Sequence, residues 1–484
     1  MYMVYDKMIH NYCKQILFHY HSSMQENTKI VLIGIWWTGM SGVAGMFLDL
    51  WYKNIVGIDS NRSQLTDNLE SQGIKIICGH WQYEVQQGDC VIYSAAAEDS
   101  PEVQQAYKLL DQSIRGMVVC NYFQFLGEIS KYCQTLAIAG TNGKSSTTAL
   151  ALYAAKTQMP DFVLGILGAL MPDCDNKSYA INPQATNDIR NIFDHILTGK
   201  WLDQSIVKKY VFIVEACEYK RHFLHLDPDY TLITSIALDH TDYYKDIEDY
   251  RAGFVQLINK TKKAVFCPAW LDIDWIPAKE REKCHTTKSI DIDLEHVFGH
   301  YHKHNAWLTT PALTALWSKP IDNNTRKDFH GLWRRMEYLW TTTQWAKVYS
   351  DYAHMASSID SVYHDLQTHY PDKKICALFQ PHQVQRILQS WEEFSQALRL
   401  YNSSGLYQIY TARESQEKIY TYQWRTVGTA YDIGQTLARD IGSIYYIDFD
   451  RMWNTYDNYN DDWIVVILTA GDLDYYVRNV MKDK

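Results

Sequence analysis

No run of this sequence is long and apolar enough to cross a bilayer, and the polar first 28 residues lack the apolar stretch of a signal peptide. Basic residues are outnumbered, with Lys and Arg at 46 against 56 Asp and Glu. The resulting net charge of −10 argues against nucleic acid or an anionic membrane surface as the main partner. The ten cysteines include no CxxC pair, which excludes a zinc knuckle or disulfide framework as the organising feature. These absences lead to the expectation of a cytoplasmic chain with reduced, mostly buried thiols. Its 484 residues, 46% of them apolar, exceed one ordinary core. A prior of about 150 residues per domain gives three domains.

Among what is present, residues 139–148 carry the most chemistry. They read AGTNGKSSTT, directly after the apolar run Thr135 to Ile138 and directly before the helix-like ALALYAAK. Gly140 and Gly143 allow a tight turn whose N–H groups face phosphate oxygens, and the helix that follows adds its positive end. Lys144 then meets the outer phosphates, and the Ser145 hydroxyl is placed for Mg2+. The spacing departs from GxxxxGK[ST], because Ile138 stands where the first glycine would be. A plain glycine turn is the alternative, and the flanking strand and helix weigh against it.

The rest of the chain reads as three α/β units. In the first, Lys29 to Ile33 is followed by the turn GIWWTGMSG, a helix through Leu50, and a strand Asn54 to Ile58 ending at Asp59. This is a mononucleotide-binding βαβ pattern. Further strands are expected at Lys75 to Cys78 and at Cys90 to Tyr93, the latter leading into Ser94. In the second unit, strands Val211 to Glu215 and Thr231 to Ile236 run into ACEYKRHFLHLDP and ALDHTDYY. Ligands of doubly wound sheets gather beyond the carboxyl ends of strands, where Glu215, Asp239 and His240 would lie. Taken singly, each is an ordinary solvated or locally bonded side chain; with Lys144 and Ser145 they make a nucleotide and metal site. The third unit shows strands at Ala346 to Tyr349, Lys374 to Phe379, Leu406 to Tyr410 and Trp463 to Leu468. These end in SDYAH, QPHQVQR, TARE and TAGDLDYY, four polar clusters that suggest a second binding edge facing ATP.

The ordered motifs AGTNGKSSTT, VEACEYKRHFLHL, ITSIALDHTDYY, GLWRRMEYL, SDYAH, FQPHQVQR, IYTARE and AGDLDYYVR resemble the Mur ligases over residues 29 to 480. The resemblance implies three domains after an N-terminal extension at 1–28. A Rossmann-like UDP-sugar domain would span 29–132 and a central P-loop ATPase-type mixed sheet 133–322. A Rossmann-like amino-acid domain would span 323–484. It implies ATP-dependent joining of L-alanine to UDP-N-acetylmuramate in peptidoglycan synthesis. The muramoyl carboxylate attacks the γ-phosphate, and the amine then displaces phosphate from the acyl phosphate.

Carried over position by position, Gly140, Thr141, Asn142, Gly143, Lys144, Ser145, Ser146, Asn305, Arg335 and Asp351 match ATP contacts. Ser145, Glu215 and His240 match metal ligands, and Lys144, Glu215 and His240 the catalytic set. Gly34, Gly39, Met40, Ser41, Asp59 and Ser94 match the UDP-sugar site, and His354 and Arg386 the surroundings of the incoming amino acid. The family's GxHNxxNA becomes Gly299, Tyr301, His302, Asn305 and Ala306, so the adenine contact of the first Asn is left open by His302 in its place. Ser235 replaces a common Asn before the DH pair. The alternating His300, His302 and His304 could be read as a metal site, but the stretch already has a place as an ATP-edge segment.

The largest departure is in the first turn. Trp36 and Trp37 stand where family glycines let the backbone approach a diphosphate, and as written the turn should not bind UDP. Trp51, Trp340 and Trp345 also stand at glycine positions of the pattern. Tryptophan UGG and UGA differ at a single base, as do UGA and the glycine codon GGA, and some genomes read UGA as glycine. The 16 tryptophans, and the abundant Tyr, Asn, Ile and Lys of an AT-rich genome, fit glycines written as tryptophan. Trp333 and Trp391 suit their own motifs.

Four other readings remain: a degenerate ATP-binding paralogue without a UDP site, a muropeptide-recycling ligase, another Mur-type ligase, and a dinucleotide oxidoreductase. The last leaves the phosphate loop without a role. Neither oligomeric state nor a preference among Ala, Gly and Ser is encoded legibly.

Overall fold

The structure, a computed structural model, describes residues 28–482 except 61, 112–116, 160–162, 242, 289–291, 293, 298, 412–416 and 423–424. Residues 1–27 of the extension at 1–28 and most of the TARE cluster lie outside the described residues. Two compact units are formed. One takes the chain up to residue 293 together with 303–329, and the other takes 294–302 with 330 onward.

The first unit contains two sheets. Strands β1 (Ile30–Ile33), β2 (Ile55–Asp59), β3 (Lys75–Cys78), β4 (Cys90–Tyr93) and β5 (Val118–Asn121) form a parallel sheet in the order β3-β2-β1-β4-β5. All four residues of β1 are buried. Ile30 and Leu32 join one core while Val31 and Ile33 join another on the opposite face, the period of two that a doubly covered strand requires. The strand order reverses between β1 and β4, which puts the residues just after them, Gly34 and Ser94, at the switch point.

The second sheet holds β6 (Gln134–Ala139), β7 (Val163–Met171), β8 (Lys177–Ile181), β9 (Val211–Glu215), β10 (Tyr230–Ile233), β11 (Ala264–Pro268) and β12 (Cys284–Thr287), in the order β12-β11-β10-β6-β9-β7-β8. All neighbours are parallel except β7 and β8. Strands β9, β6 and β10 lie side by side, so their carboxyl ends bring Glu215, the phosphate loop and the segment leading to His240 to one edge. The expected strand Thr231 to Ile236 stops at Ile233. Its neighbour β6 ends at Ala139 and turns away at Gly140, so beyond Ile233 the segment is tied to the phosphate loop instead, with Thr234 Oγ1 2.6 Å from Asn142 O and 3.2 Å from Ala139 O.

The second unit holds β13 (Glu337–Thr341), β14 (Lys347–Asp351), β15 (Lys374–Gln380), β16 (Ser403–Tyr407), the separate hairpin β17 (Tyr420–Tyr422) and β18 (Arg425–Gly428), then β19 (Ile444–Tyr446) and β20 (Trp463–Thr469). The main sheet runs β13-β14-β20-β15-β16-β19, antiparallel only at β13–β14. The strand expected at Leu406 to Tyr410 sits earlier, at Ser403–Tyr407, paired with β15.

Candidate active site

The phosphate loop has the backbone its residues require. Gly140 sits at φ 136° and Gly143 at φ 85°, both disfavoured for side chains, and Gly143 is the N-cap of the helix Lys144–Gln158. A Cβ on Gly140 would fall 2.1 Å from Thr234 Oγ1. Thr141 is held by a network: its Oγ1 donates to Ala237 O (2.8 Å) and accepts from the Ala237 N–H (2.9 Å). The Tyr250 hydroxyl lies 2.8 Å from the same oxygen. The Asn142 N–H donates to Ser235 Oγ at 2.9 Å, so Ser235 fastens the loop. Asn305 lies beside Gly143, whose Cβ direction ends 3.1 Å from Asn305 Oδ1.

Lys144 points back into the loop, donating to Gly140 O (2.5 Å) and Thr141 O (3.0 Å), and pairs with Glu218 at 3.0 Å. Burial is the largest influence and opposes its charge, but the facing Glu218 carboxylate, with Cys217 and Glu215 adding to it, raises the Lys144 pKa. Burial likewise pushes Glu218 up, while Lys144 and then His240 hold its carboxyl below the ordinary value. Both groups are therefore charged at neutral pH. Ser145 Oγ donates to Glu215 Oε1 at 3.0 Å, and Glu215 Oε2 accepts the Gly168 N–H at 2.7 Å. Ser146 is buried in the first turn of the helix.

The three expected metal residues fall into two groups. Ser145 and Glu215 touch each other, whereas His240 joins Glu218 and Asp239, whose ligand atoms lie within 4.8 Å of one another. His240 Nε2 is 3.6 Å from Glu218 Oε1, and its ring lies 4.7 Å from that of Tyr219. Glu218 and Asp239 thus complete a set that the expected ligands left unfinished. The spacing in EACE, two acids three apart just past a strand end, is the signal that would have found Glu218. No group of metal-ligating side chains among the described residues includes His302 or His304.

The expected UDP-sugar residues also converge. Gly34 has φ 81°, and a Cβ there would strike Ser94 Oγ at 2.0 Å. Asp59 accepts the Trp36 N–H at 2.9 Å, and Ser41 Oγ donates to Ile35 O at 2.6 Å. Gly39 and Met40 are buried at the start of the helix Thr38–Asp49. Above this turn stands Trp37, its ring 4.7 Å from that of Tyr122, with the Gly39 Cβ direction ending 2.7 Å from the indole.

In the second unit, Asp351 ends β14, accepting from the Met336 and Ala353 N–H groups, each at 2.8 Å. Burial raises its pKa, with the neighbouring Arg335 charge pulling the other way. The Arg335 guanidinium lies 4.9 Å over the Tyr352 ring. His302, also in this unit, is buried, and burial together with Arg335 lowers its pKa to about 4. His354 Nδ1 is 2.9 Å from Tyr352 O, its ring is 5.7 Å from that of His382, and His382 stacks on Tyr410 at 5.5 Å. Arg386 lies on the short helix Val384–Gln389 that follows.

With this geometry in hand, two family models match the chain: the "Mur ligase family, catalytic domain" over residues 29–131 and the "Mur ligase middle domain" over 138–309, together more than half of its length. The chain belongs to the Mur ligase family. It is similar to the UDP-N-acetylmuramate–L-alanine ligase of Levilactobacillus brevis, 27% identical over 94% of this chain and 97% of that protein. The ligase of the same name from Clostridium acetobutylicum is 29% identical over 80% of this chain and 84% of its own. In fold it is similar to the UDP-N-acetylmuramate–alanine ligase of Thermotoga maritima, with TM-score 0.71, 18% identity, and coverage of 94% of this chain and 100% of that one. A murein peptide ligase from Psychrobacter arcticus follows, with TM-score 0.61, 16% identity, and coverage of 94% and 98%. No helix among the described residues is long and apolar enough to cross a membrane.

Proposed function

We propose that the chain is an ATP-dependent ligase that joins L-alanine to UDP-N-acetylmuramate, a step of peptidoglycan synthesis. The observation that carries this reading is the constellation around Lys144: a glycine-turned phosphate loop with a charged lysine, flanked by Ser145 with Glu215 and by Glu218, Asp239 and His240. The named relatives, aligned along nearly all of the chain, support the choice of substrates.

A carboxylate and an amine do not condense in water, so the carboxylate must be activated. Its oxygen attacks the γ-phosphorus of ATP and ADP leaves; the alanine amine then attacks the acyl carbon and inorganic phosphate leaves. The loop N–H groups and Lys144 bind the phosphates and neutralise charge as it moves to the transferring group. The hydroxyl, carboxylate and imidazole donors fit Mg2+, with Ser145 and Glu215 on one side and His240, Glu218 and Asp239 on the other. When bound, Mg2+ would stabilise the charge on the phosphate oxygens. From the family pattern we assign Asn305, Arg335 and Asp351 to the nucleotide, and His354 and Arg386 to the amino acid. By the same pattern, the functional domains are 29–132, 133–322 and 323–484, with 1–28 as an extension.

Phosphate release from ATP that requires both UDP-N-acetylmuramate and L-alanine would bear this out; ATP turnover indifferent to both would refute it. One observation favours a second reading, an ATP-binding paralogue without a sugar-nucleotide site: the indole of Trp37 over the first turn. That reading predicts ATP binding with no turnover under any substrate pair.

A further inference from the structure

Among the described residues, thirteen non-glycine positions have positive φ, and three of them are tryptophans: Trp51 (61°), Trp81 (66°) and Trp345 (74°). Asn and Asp tolerate this region through short polar side chains, but a bulky aromatic gains nothing there. Nor does packing compensate, since these indoles are 54%, 83% and 73% exposed, against the usual burial of tryptophan.

Two of these positions have hydrogen bonding that specifies glycine. The Trp51 N–H bonds to Leu48 O and the Tyr52 N–H to Phe47 O, the paired pattern that ends a helix with a left-handed residue at Trp51. Between β13 and β14, the Trp345 N–H bonds to Thr342 O and the Thr342 N–H to Ala346 O. That is a short hairpin loop whose last residue is left-handed, a place glycine takes by default. Trp81 follows Gly79 (φ 96°), with its N–H held by Glu102 Oε1 at 2.6 Å. Trp36 and Trp37 add a different argument. They are 44% and 42% exposed and directly precede the helix Thr38–Asp49, and the Trp37 indole lies against Gly39 in its first turn, where a diphosphate would approach the backbone.

Other tryptophans contrast with these five. Trp307 and Trp453 are buried in helices, where glycine would open a cavity. Trp340 lies in β13 with its ring 5.4 Å from that of Trp453, so its geometry does not ask for glycine.

We propose that Trp36, Trp37, Trp51, Trp81 and Trp345 stand at codons that the cell of origin reads as glycine. The first turn of the natural protein is then an open diphosphate-binding turn, a consequence that rests on the ligase reading above.

The gene and the natural protein together test this. UGA at all five codons with UGG at 307 and 453, and peptide masses showing glycine at 51, 81 and 345, are expected. UGG at the five codons, or indole mass in those peptides, overturns the proposal. The chain as written is then compared with a variant carrying W36G, W37G, W51G, W81G and W345G. The variant is expected to melt a few degrees higher and to bind UDP-N-acetylmuramate at least about tenfold more tightly. A lower melting temperature counts against the geometric argument. Glycine in the peptides without UDP-N-acetylmuramate binding leaves the codon assignment standing and removes the ligase reading instead.

Discussion

Two strand–turn–helix junctions in the first unit solve the same folding problem and differ in what they offer a ligand. After β1 and after β6 the chain turns on a glycine at positive φ, Gly34 and Gly140, each pressed against a hydroxyl from a neighbouring strand end, Ser94 and Thr234. Three residues later they part. Neither helix has a side-chain cap, but the second junction enters its helix through Gly143 at φ 85° and Lys144, with no side chain on its N-cap, whereas the first enters through Trp37 at φ −70°, an ordinary backbone with an indole against the first turn. The lesson is that the first glycine sets the fold of such a junction, while the residues at the helix entrance set its chemistry.

The largest effect is expected at the second junction. Lys144→Met should lower phosphate release by about 10³-fold or more. It should also destabilise the protein by about 1–3 kcal/mol, because the buried Glu218 would lose its lysine and keep only His240 as a partner. The pair K144M/E218Q separates the two roles: thermal unfolding should show stability largely restored, while phosphate release stays absent. Recovery of turnover in the double variant would remove Lys144 from the chemistry.

Next, Gly34→Ala and Gly140→Ala should each destabilise by about 1–3 kcal/mol through backbone strain and collision. Their ligand effects should diverge, with ATP affinity lost only in G140A and retained in G34A. Equal loss in both, measured by calorimetric titration, would show that the two turns are not separate sites. A smaller effect is expected from Ser145→Ala, which removes a hydroxyl bonded to Glu215; the Mg2+ concentration for half-maximal turnover should rise about 10- to 100-fold. An unchanged Mg2+ dependence would exclude Ser145 as a ligand.

The contrast also explains what could be read from sequence. The phosphate loop was legible because its chemistry is local: the turn, the lysine and the hydroxyl are consecutive, and the flanking apolar runs became β6 and the helix Lys144–Gln158. Glu215, Asp239 and His240 were legible as polar residues past strand ends, and they do meet the loop's edge of the sheet. Glu218 carried a signal in the EACE spacing, three residues after Glu215 at the end of β9, but its pairing with Lys144 is a contact 74 residues apart in the chain that no local pattern announces. The apolar run of β7 and its antiparallel partner β8 were missed for a related reason: VLGILGALM alternates nothing, so its pairing is decided by neighbours far away in the chain. In the first turn, sequence exposed the misfit of the tryptophans, but only the backbone angles distinguish Trp51 and Trp345 from Trp340.

The smallest expected effect is one of pH, and it falls on the two regions differently. His222 is buried, stacked on Phe123 at 5.0 Å, and Phe123 in turn lies 6.4 Å from Trp37 beside the first turn. Burial, then the charges of His225 and Lys220, lower its pKa to about 3. An unfolded histidine titrates near pH ~6.5, so this group's contribution is fully present above that value. It is lost progressively as pH falls toward 3, amounting to about 1–2 kcal/mol between pH 7 and 5. The Lys144–Glu218 pair behaves otherwise. Glu218, with its pKa lowered, gives up stability only as pH falls below the unfolded carboxyl range near ~4.3, and Lys144, with its pKa raised, only as pH rises beyond ~10.4. Melting temperatures from pH 7 to 5 should therefore decline in the parent and in K144M/E218Q alike, and decline less steeply in His222→Phe, where the buried His302 of the second unit keeps its share of the slope. A flattened profile in K144M/E218Q with an unchanged slope in H222F would place the acid-sensitive contact at the phosphate loop instead of beside the first turn.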